Sequence, residues 1–467
     1  MMIFFQLLLA FGYFIFSIPW AEAGGIDWKG QYRFEYLDVS STDLNEGGAK
    51  AAFLNRLNLR PHIVVADGLR VITNMEVLSN SLYPNDQVGS WFGSSAQNDQ
   101  LARRQQGASQ LAIREVYLRW EQEHAELIVG RAAFQFGMGA FYNAGTGAFD
   151  HFSDNYDMIS YKIYVGNLLI QPILTTVQDK SVERTGGTND QMIHLLYNNE
   201  DAKAQFGVLY RNRTSPTRDD VLSNRPSLYN EVAIMGDYKV NNTHLYFARY
   251  WETFSFKLEG GVESGPTGLQ AANLEPIELG GYGVSLEFEY KPLSSSWDYK
   301  ILTGVVSGDD PTTSKYEGFQ LHRNYDIAFL LGNHPMGRYD ILTSNRQRTR
   351  SQASPFAVLS NDSVLDEETV GNMVYFAPQF NRALGDRWKW TNRIAFAQTQ
   401  VKATNQSSVS SELGWEYDIG IKYQPYERFQ WVAEFGVFSP GQAFAEGALG
   451  HPTKMVWGWQ TRAAFDF

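Results

Sequence analysis

Residues 455–467 read MVWGWQTRAAFDF and close the chain on an aromatic. Taken alternately, Trp457, Trp459, Thr461, Ala463, Phe465 and Phe467 form one row. Val456, Gly458, Gln460, Arg462, Ala464 and Asp466 form the other. Successive side chains of a strand point to opposite faces, so this is a β-strand with one aromatic face and one small or polar face. Chain ends ordinarily fray in water. A terminal strand this aromatic requires something to cover it.

The same alternation recurs throughout the chain. Between Ile26 and Val39, Trp28, Tyr32, Phe34 and Tyr36 share a face with Gly30, opposite Asp27, Lys29, Gln31, Arg33 and Glu35. Between Ser411 and Gln424, Leu413, Trp415, Tyr417, Ile419, Ile421 and Tyr423 oppose Glu412, Glu416, Asp418, Lys422 and Gln424. A half-buried sheet in a soluble protein alternates in the same way, so the connections must separate the two cases. Ala66-Asp67-Gly68, Gly166-Asn167, Asn199 to Ala202, Asn241-Asn242, Pro292 to Ser296, Gly385-Asp386 and Pro425 to Arg428 read as short turns. Asn241-Asn242 is read as joining strands Ser227 to Val240 and Thr243 to Phe256. Between the turns lie long polar segments such as Ser81 to Gln110 and, longest, Gly308 to Asp366. Backbone in lipid must be fully paired, and a closed barrel with an even strand number achieves that. The pattern predicts an all-β fold: a transmembrane antiparallel β-barrel of about 18 strands, with short periplasmic turns and long extracellular loops, formed by residues 24–467 as one domain.

The chain has 467 residues and no cysteine, which excludes disulfides, thiolate metal sites and a Cys nucleophile. A formal net charge of -12 argues against nucleic acid as a partner. With 30 Phe, 25 Tyr and 12 Trp the chain is rich in aromatics, yet its mean hydropathy is below zero. A lipid-facing strand needs only every second residue to be apolar, which reconciles the two. Residues 1–18, MMIFFQLLLAFGYFIFSI, are almost wholly apolar, and Ala21-Glu22-Ala23 follows as an A-x-A pattern. This predicts a signal peptide over residues 1–23. The segment carries no Lys or Arg, so an uncleaved anchor helix is the alternative. No later apolar run approaches the ~20 residues a spanning helix needs. Together these features place the chain in the outer membrane of a Gram-negative bacterium.

The final strand resembles the last strand of bacterial outer-membrane barrels. That likeness implies recognition of the strand ending at Phe467 by the barrel-insertion machinery, in a setting of outer-membrane lipid and lipopolysaccharide. Arg346 to Arg350 (RQRTR) is a candidate contact for lipopolysaccharide phosphates. Other stretches resemble the alginate-export family of outer-membrane channels: Arg114-Glu115-Val116-Tyr117-Leu118; Val129-Gly130-Arg131 with Phe136-Gly137, Asn143 and Gly145; and Gly414-Trp415-Glu416 with Ser439-Pro440-Gly441. The resemblance implies an 18-stranded porin-like channel that passes small hydrophilic solutes or a polysaccharide or oligosaccharide. A polyuronate channel should carry an excess of inward bases. Here inward Arg33, Arg56, Arg60, Arg119, Arg211, Arg249 and Arg393 are matched by inward Glu35, Glu76, Glu115, Glu416, Asp418 and Glu434, so alginate itself is not the expected cargo.

Arg33, Arg56 and Arg60, with Arg119 and Arg131, are the candidates for lining and charge selection, against the plainer reading that they pair with Glu35 and Glu76. Phe134 to Phe152 is the candidate constriction. Its glycines permit bends, and Phe136, Phe141, Tyr142, Asn143 and Phe149 could meet sugar rings; an ordinary outer loop is the alternative. Two other functions stay open. An outer-membrane hydrolase would have to use His151 near Asp150 and Asp154, with no Ser or second base at a telling spacing. A closed structural or adhesive barrel would pass nothing. The sequence assigns no catalytic residue, cofactor or metal ligand.

Overall fold

The structure is a computed structural model that describes residues 24–41, 44, 49–79, 112–178, 188–215, 233–234, 238–270, 276–308, 310, 315–334, 336, 370–402, 410–445 and 453–467. The signal-peptide reading, the Ser81 to Gln110 loop and the Arg346 to Arg350 stretch fall outside these residues.

The strands are β1 (Ile26–Val39), β2 (Lys50–Ala66), β3 (Leu69–Ser79), β4 (Ala112–Glu121), β5 (Ala125–Ala133), β6 (Asn155–Val165), β7 (Leu168–Gln178), β8 (Thr188–Asn199), β9 (Ala204–Ser215), β10 (Ala233–Ile234), β11 (Tyr238–Tyr250), β12 (Phe254–Gln270), β13 (Pro276–Leu279), β14 (Tyr282–Tyr290), β15 (Trp297–Val306), β16 (Lys315–Tyr316), β17 (Met373–Leu384), β18 (Trp388–Thr399), β19 (Glu412–Tyr426), β20 (Phe429–Pro440) and β21 (Val456–Asp466). Among the described residues, β10 and β13 are short pieces paired to the far end of β12, β16 is a two-residue piece parallel to β13, and the other eighteen strands make the wall. Each wall strand pairs antiparallel with the next, and β1 pairs with β21 from Gln31↔Asp466 to Val39↔Gly458, which closes the cylinder. Phe467 completes the seam: its N–H donates to the Gly30 carbonyl at 2.9 Å and its carbonyl accepts from Gly30 N–H at 2.8 Å. The terminal aromatic therefore does not fray; it belongs to the ladder.

The two faces of each strand meet different surroundings. In β21, Trp457, Trp459 and Phe465 are exposed on the outside, while Val456, Gly458, Gln460 and Ala464 are buried inside. Trp28, Phe396, Trp415, Tyr417 and Phe435 are likewise exposed on the outer wall. A water-soluble protein would pay heavily for such an aromatic exterior; for a barrel in hydrocarbon it is the favoured surface. No helix of the described residues is long and apolar enough to cross a membrane, and the crossing elements are the strands.

Three sequence readings are corrected by the register. Asn241 and Asn242 lie inside β11, not in a turn; the turn is Trp251 to Thr253, and the two strands become Tyr238–Tyr250 and Phe254–Gln270. Asn242 faces the lumen and accepts from Arg211 Nη2 at 2.8 Å, so a turn-forming residue type was used as a wall residue. With that shift Arg249 falls on the outward face of β11, where Ala248 is the buried inward neighbour. In β19 a bulge at Gly414, φ 112°, flips the start of the strand. Leu413 turns inward and is fully buried, while Glu412 turns outward. A Cβ at Gly414 would collide with the Ser439 carbonyl oxygen, so this position requires glycine.

The apolar core lies inside the cylinder. Two segments fold inward from the long-loop end, Phe134 to Asp154 between β5 and β6 and Glu317 to His334 after β16. Ile327 to Leu331 are buried to 1% exposure or less against inward residues of β1, β15 and β17–β21.

Candidate channel constriction

The first inward segment leaves β5 and touches two separated parts of the wall. On one side Phe136 packs edge-on against His194 of β8 and His244 and Tyr246 of β11. Gly207 of β9 makes room for it, since a Cβ there would lie 3.3 Å from the Phe136 ring. Glu259 of β12, 0% exposed, then accepts the N–H groups of Met138 at 2.7 Å, Phe141 at 3.3 Å and Ala140 at 3.5 Å. Gly137, φ 53°, supplies the left-handed bend that aims those donors at the carboxylate.

On the other side the segment meets β1 and β2. Arg33 Nη1 and Arg56 Nη1 both donate to the Asp150 carbonyl, at 2.7 and 2.8 Å. Arg33 also pairs with Glu35 at 2.5 Å, and Arg56 with Glu76 at 2.5 Å. His151 sits between them: Arg33 Nη2 donates to Nδ1 at 3.2 Å, so the proton is on Nε2, which donates to Glu35 at 3.2 Å. Burial pushes the His151 imidazole down to about 4, with the Glu35 carboxylate opposing and the Arg33 charge assisting. The imidazole is thus a neutral bolt between loop and wall.

The second segment is fixed to the first. His322 N–H donates to the Ala140 carbonyl at 2.7 Å. Asn324 accepts from His151 N–H at 3.3 Å and Phe152 N–H at 3.2 Å, and its amide donates to the Phe152 carbonyl at 2.8 Å. Phe319 lies on Phe141, ring centroids 5.5 Å apart. At the far side Phe329 to Leu331 are held by Glu416 and Asp418 of β19.

Between the two segments and β18–β21 lies a loosely paired polar group. Arg393 and Arg462 each approach Glu434 only to 3.6 Å, longer than a hydrogen bond. Arg462 stacks over Phe149 at 4.7 Å, and Asp326 faces the same charges, its carboxyl pushed up to about 7 by burial.

The named candidates fall out as follows. Arg33 and Arg56 lie opposite each other in register and hold the first segment. Arg60 lies inward two positions nearer the short turns, beyond Asn58 and opposite Lys29. Arg119 lies inward on β4, bound to Glu121 at 2.5 Å and Glu126 at 2.8 Å. Arg131 is a correction: inward residues of β5 are Glu126, Ile128 and Ala132, so Arg131 faces outward, in a bidentate pair with Asp157 at 2.7 Å. Phe136 and Tyr142 are buried against the wall and offer no free face to a sugar. Asn143 is structural, donating its N–H to Asp154 at 2.9 Å and accepting from Gly145 N–H at 2.7 Å. Phe141 and Phe149 remain half-buried at the constriction. Sequence reasoning missed Glu259, Asn324 and the second segment. The run IAFLLG at 327–332, apolar within a long polar stretch, was the available signal.

No protein-family model matches the sequence, and no curated protein is significantly similar to it. Solved structures do match in shape. A BenF-like porin from Pseudomonas fluorescens Pf-5 superposes with a TM-score of 0.54 at 8% identity, over 96% of this chain and 100% of the other. Acinetobacter baumannii OccAB3 gives 0.53 at 9% identity, over 95% and 99%. Pseudomonas aeruginosa OccK2 in complex with glucuronate gives 0.52 at 9% identity, over 95% and 98%. The chain has the fold of the outer-membrane porins. At such identities the likeness is one of fold, and the alginate-export resemblance is carried no further than a porin-type barrel.

Proposed function

We propose that the protein is an outer-membrane channel for passive passage of small hydrophilic solutes, narrowed by its two inward segments. The observation that carries this reading is the state of the inward charges at the short-turn end of the barrel. Lys29, Lys389 and Glu121 have side chains 58%, 39% and 36% exposed although they point into a closed cylinder. Charged groups keep such exposure only against water, so that end of the lumen is wet. Among the described residues, the apolar packing of Ile327 to Leu331 lies toward the opposite end, against β1, β15 and β17–β21.

The loosely paired Arg393, Glu434 and Arg462, with Phe149 and Asp326 across from them, form the eyelet in this reading. Both charge signs are present, which suits small polar solutes, neutral or weakly acidic sugars among them, better than a long polyanion. The alginate-export resemblance enters only as architecture. His151 is engaged between Arg33 and Glu35, which supports a structural role for it over a hydrolase. The aromatic outer wall would sit in outer-membrane lipid and lipopolysaccharide, and the strand ending at Phe467 would be the one read by the insertion machinery.

Swelling of liposomes carrying the refolded protein, in neutral sugars and in glucuronate, tests the proposal. Swelling that slows with increasing solute size supports it. No swelling with any solute assigns the fold to a closed barrel.

A further inference from the structure

Glu416 and Asp418 are neighbours on the inward face of β19, and both carboxyls are buried. Glu416 accepts Leu330 N–H through Oε1 and Leu331 N–H through Oε2, each at 2.7 Å. Asp418 Oδ2 accepts Phe329 N–H at 3.1 Å, while its buried Oδ1 meets no donor among the described residues. The two side chains lie within hydrogen-bonding reach of each other. Gly436, opposite Asp418 in register, leaves them this space; a Cβ there would lie 2.6 Å from Asp418 Oδ1 and 3.1 Å from Glu416 Oε1. Gly458 on β21 forms a matching recess, where a Cβ would lie 2.9 Å from Leu330 and 3.0 Å from Phe329.

The titratable groups nearby are Arg393 of β18, Glu434 of β20, Arg462 of β21, and Asp326 and His334 of the segment itself, the last a neutral imidazole because burial lowers it. Arg393 reaches Asp418 only at 3.9 Å and is shared with Glu434. One distant guanidinium does not offset two ionised carboxylates in contact, and such pairs hold a proton between them.

We infer that Glu416 and Asp418 share one proton, carried on Asp418 Oδ1 and directed at an ionised Glu416, and that this pair is the latch seating Phe329 to Leu331 in the wall. Both oxygens of Glu416 take short bonds from consecutive backbone donors, as a carboxylate does at an anion-binding turn. The orphaned oxygen belongs to Asp418, where the proton must sit. The latch holds the second segment, and through Asn324 and His322 it also steadies the first.

The natural chain has no cysteine, so a single Leu330→Cys reports on seating by its reaction with a membrane-impermeant maleimide in detergent-refolded protein. Asp418→Asn keeps one negative charge and an N–H where the shared proton was, and should label within about twofold of the Leu330→Cys parent. Glu416→Gln with Asp418→Asn removes the charge faced by the Leu330 and Leu331 N–H groups and should label about tenfold faster or more. Asp418→Asn labelling as fast as the double variant, or the double variant labelling like the parent, overturns the inference. If the double variant does not assemble, Glu416→Gln alone is compared with Asp418→Asn: the first should label faster, and equal rates overturn the assignment. Labelling does not require conduction, so a barrel that fails the swelling assay still reports on the latch.

Discussion

Replacing Glu259 by alanine removes the acceptor shared by the N–H groups of Met138, Phe141 and Ala140. Two of these bonds, at 2.7 and 3.3 Å, are close enough to weigh. A buried hydrogen bond contributes about 1 kcal/mol net, since undocked donors in a wet lumen recover water, so the pair is worth about 2 kcal/mol. That corresponds to a fall of roughly 30-fold in the ratio of docked to undocked segment. Packing of Phe136 against His194, His244 and Tyr246 survives the change. The segment should therefore fluctuate while remaining mostly in place. Single-channel recording in planar bilayers should show added brief states of larger conductance, and limited proteolysis should cut between residues 137 and 147 faster than in the parent. Glu259→Gln, which keeps one oxygen, should lie between the two. A conductance histogram and cleavage rate both unchanged in Glu259→Ala would refute the claim that this carboxylate holds a constriction.

Deleting Gly137 to Gly147 should raise the main conductance level itself, in contrast to the transient states of the point variant. Arg393→Ala with Arg462→Ala leaves Glu434 unbalanced at the eyelet, so the reversal potential in a salt gradient should move toward cation preference; no movement would place the solute path elsewhere. His151 gives a pH signature. Its pKa is held near 4 in the docked segment against an ordinary value near 6.5, so the undocked state takes up the proton first as pH falls. Its contribution to docking is complete above about pH 6.5 and is lost between there and about pH 4, by at most about 3 kcal/mol. Asp326, raised by burial to about 7, works in the opposite sense over the same range, and burial raises Asp154 in the same direction as Asp326. The test is therefore the difference between parent and His151→Gln: proteolysis of residues 137–147 should accelerate on acidification less in the variant.

The wall was legible because lipid enforces one rule at every second residue. Trp457, Trp459 and Phe465 could be placed on the outside from sequence alone, since a shift of one residue would put Arg462 into hydrocarbon. Local breaks in that rule were not legible. The bulge at Gly414 depends on the Ser439 carbonyl across the hairpin, which no reading of β19 by itself contains. Asn241-Asn242 has turn chemistry, and only the partners Arg211 and Glu263 make Asn242 a wall residue. At the constriction, glycine and aromatic content marked Phe134 to Phe152. Its anchors Glu259 and Asn324 lie 121 and 173 residues from the donors they serve. Arg131 was misplaced because its position next to that segment suggested a lumen role, whereas strand parity decides the face. The second segment has no period to read: it is neither strand nor helix, and its form comes from the carboxylates and glycines of β19, β20 and β21.

The most direct test of the account is the electrical behaviour of the purified, refolded chain in a planar lipid bilayer. A water-filled passage narrowed by two inward segments predicts discrete, stable, ohmic current steps. Insertion confirmed by heat-modifiable migration, with no current steps at any voltage, would contradict it and show that the inward segments seal the cylinder.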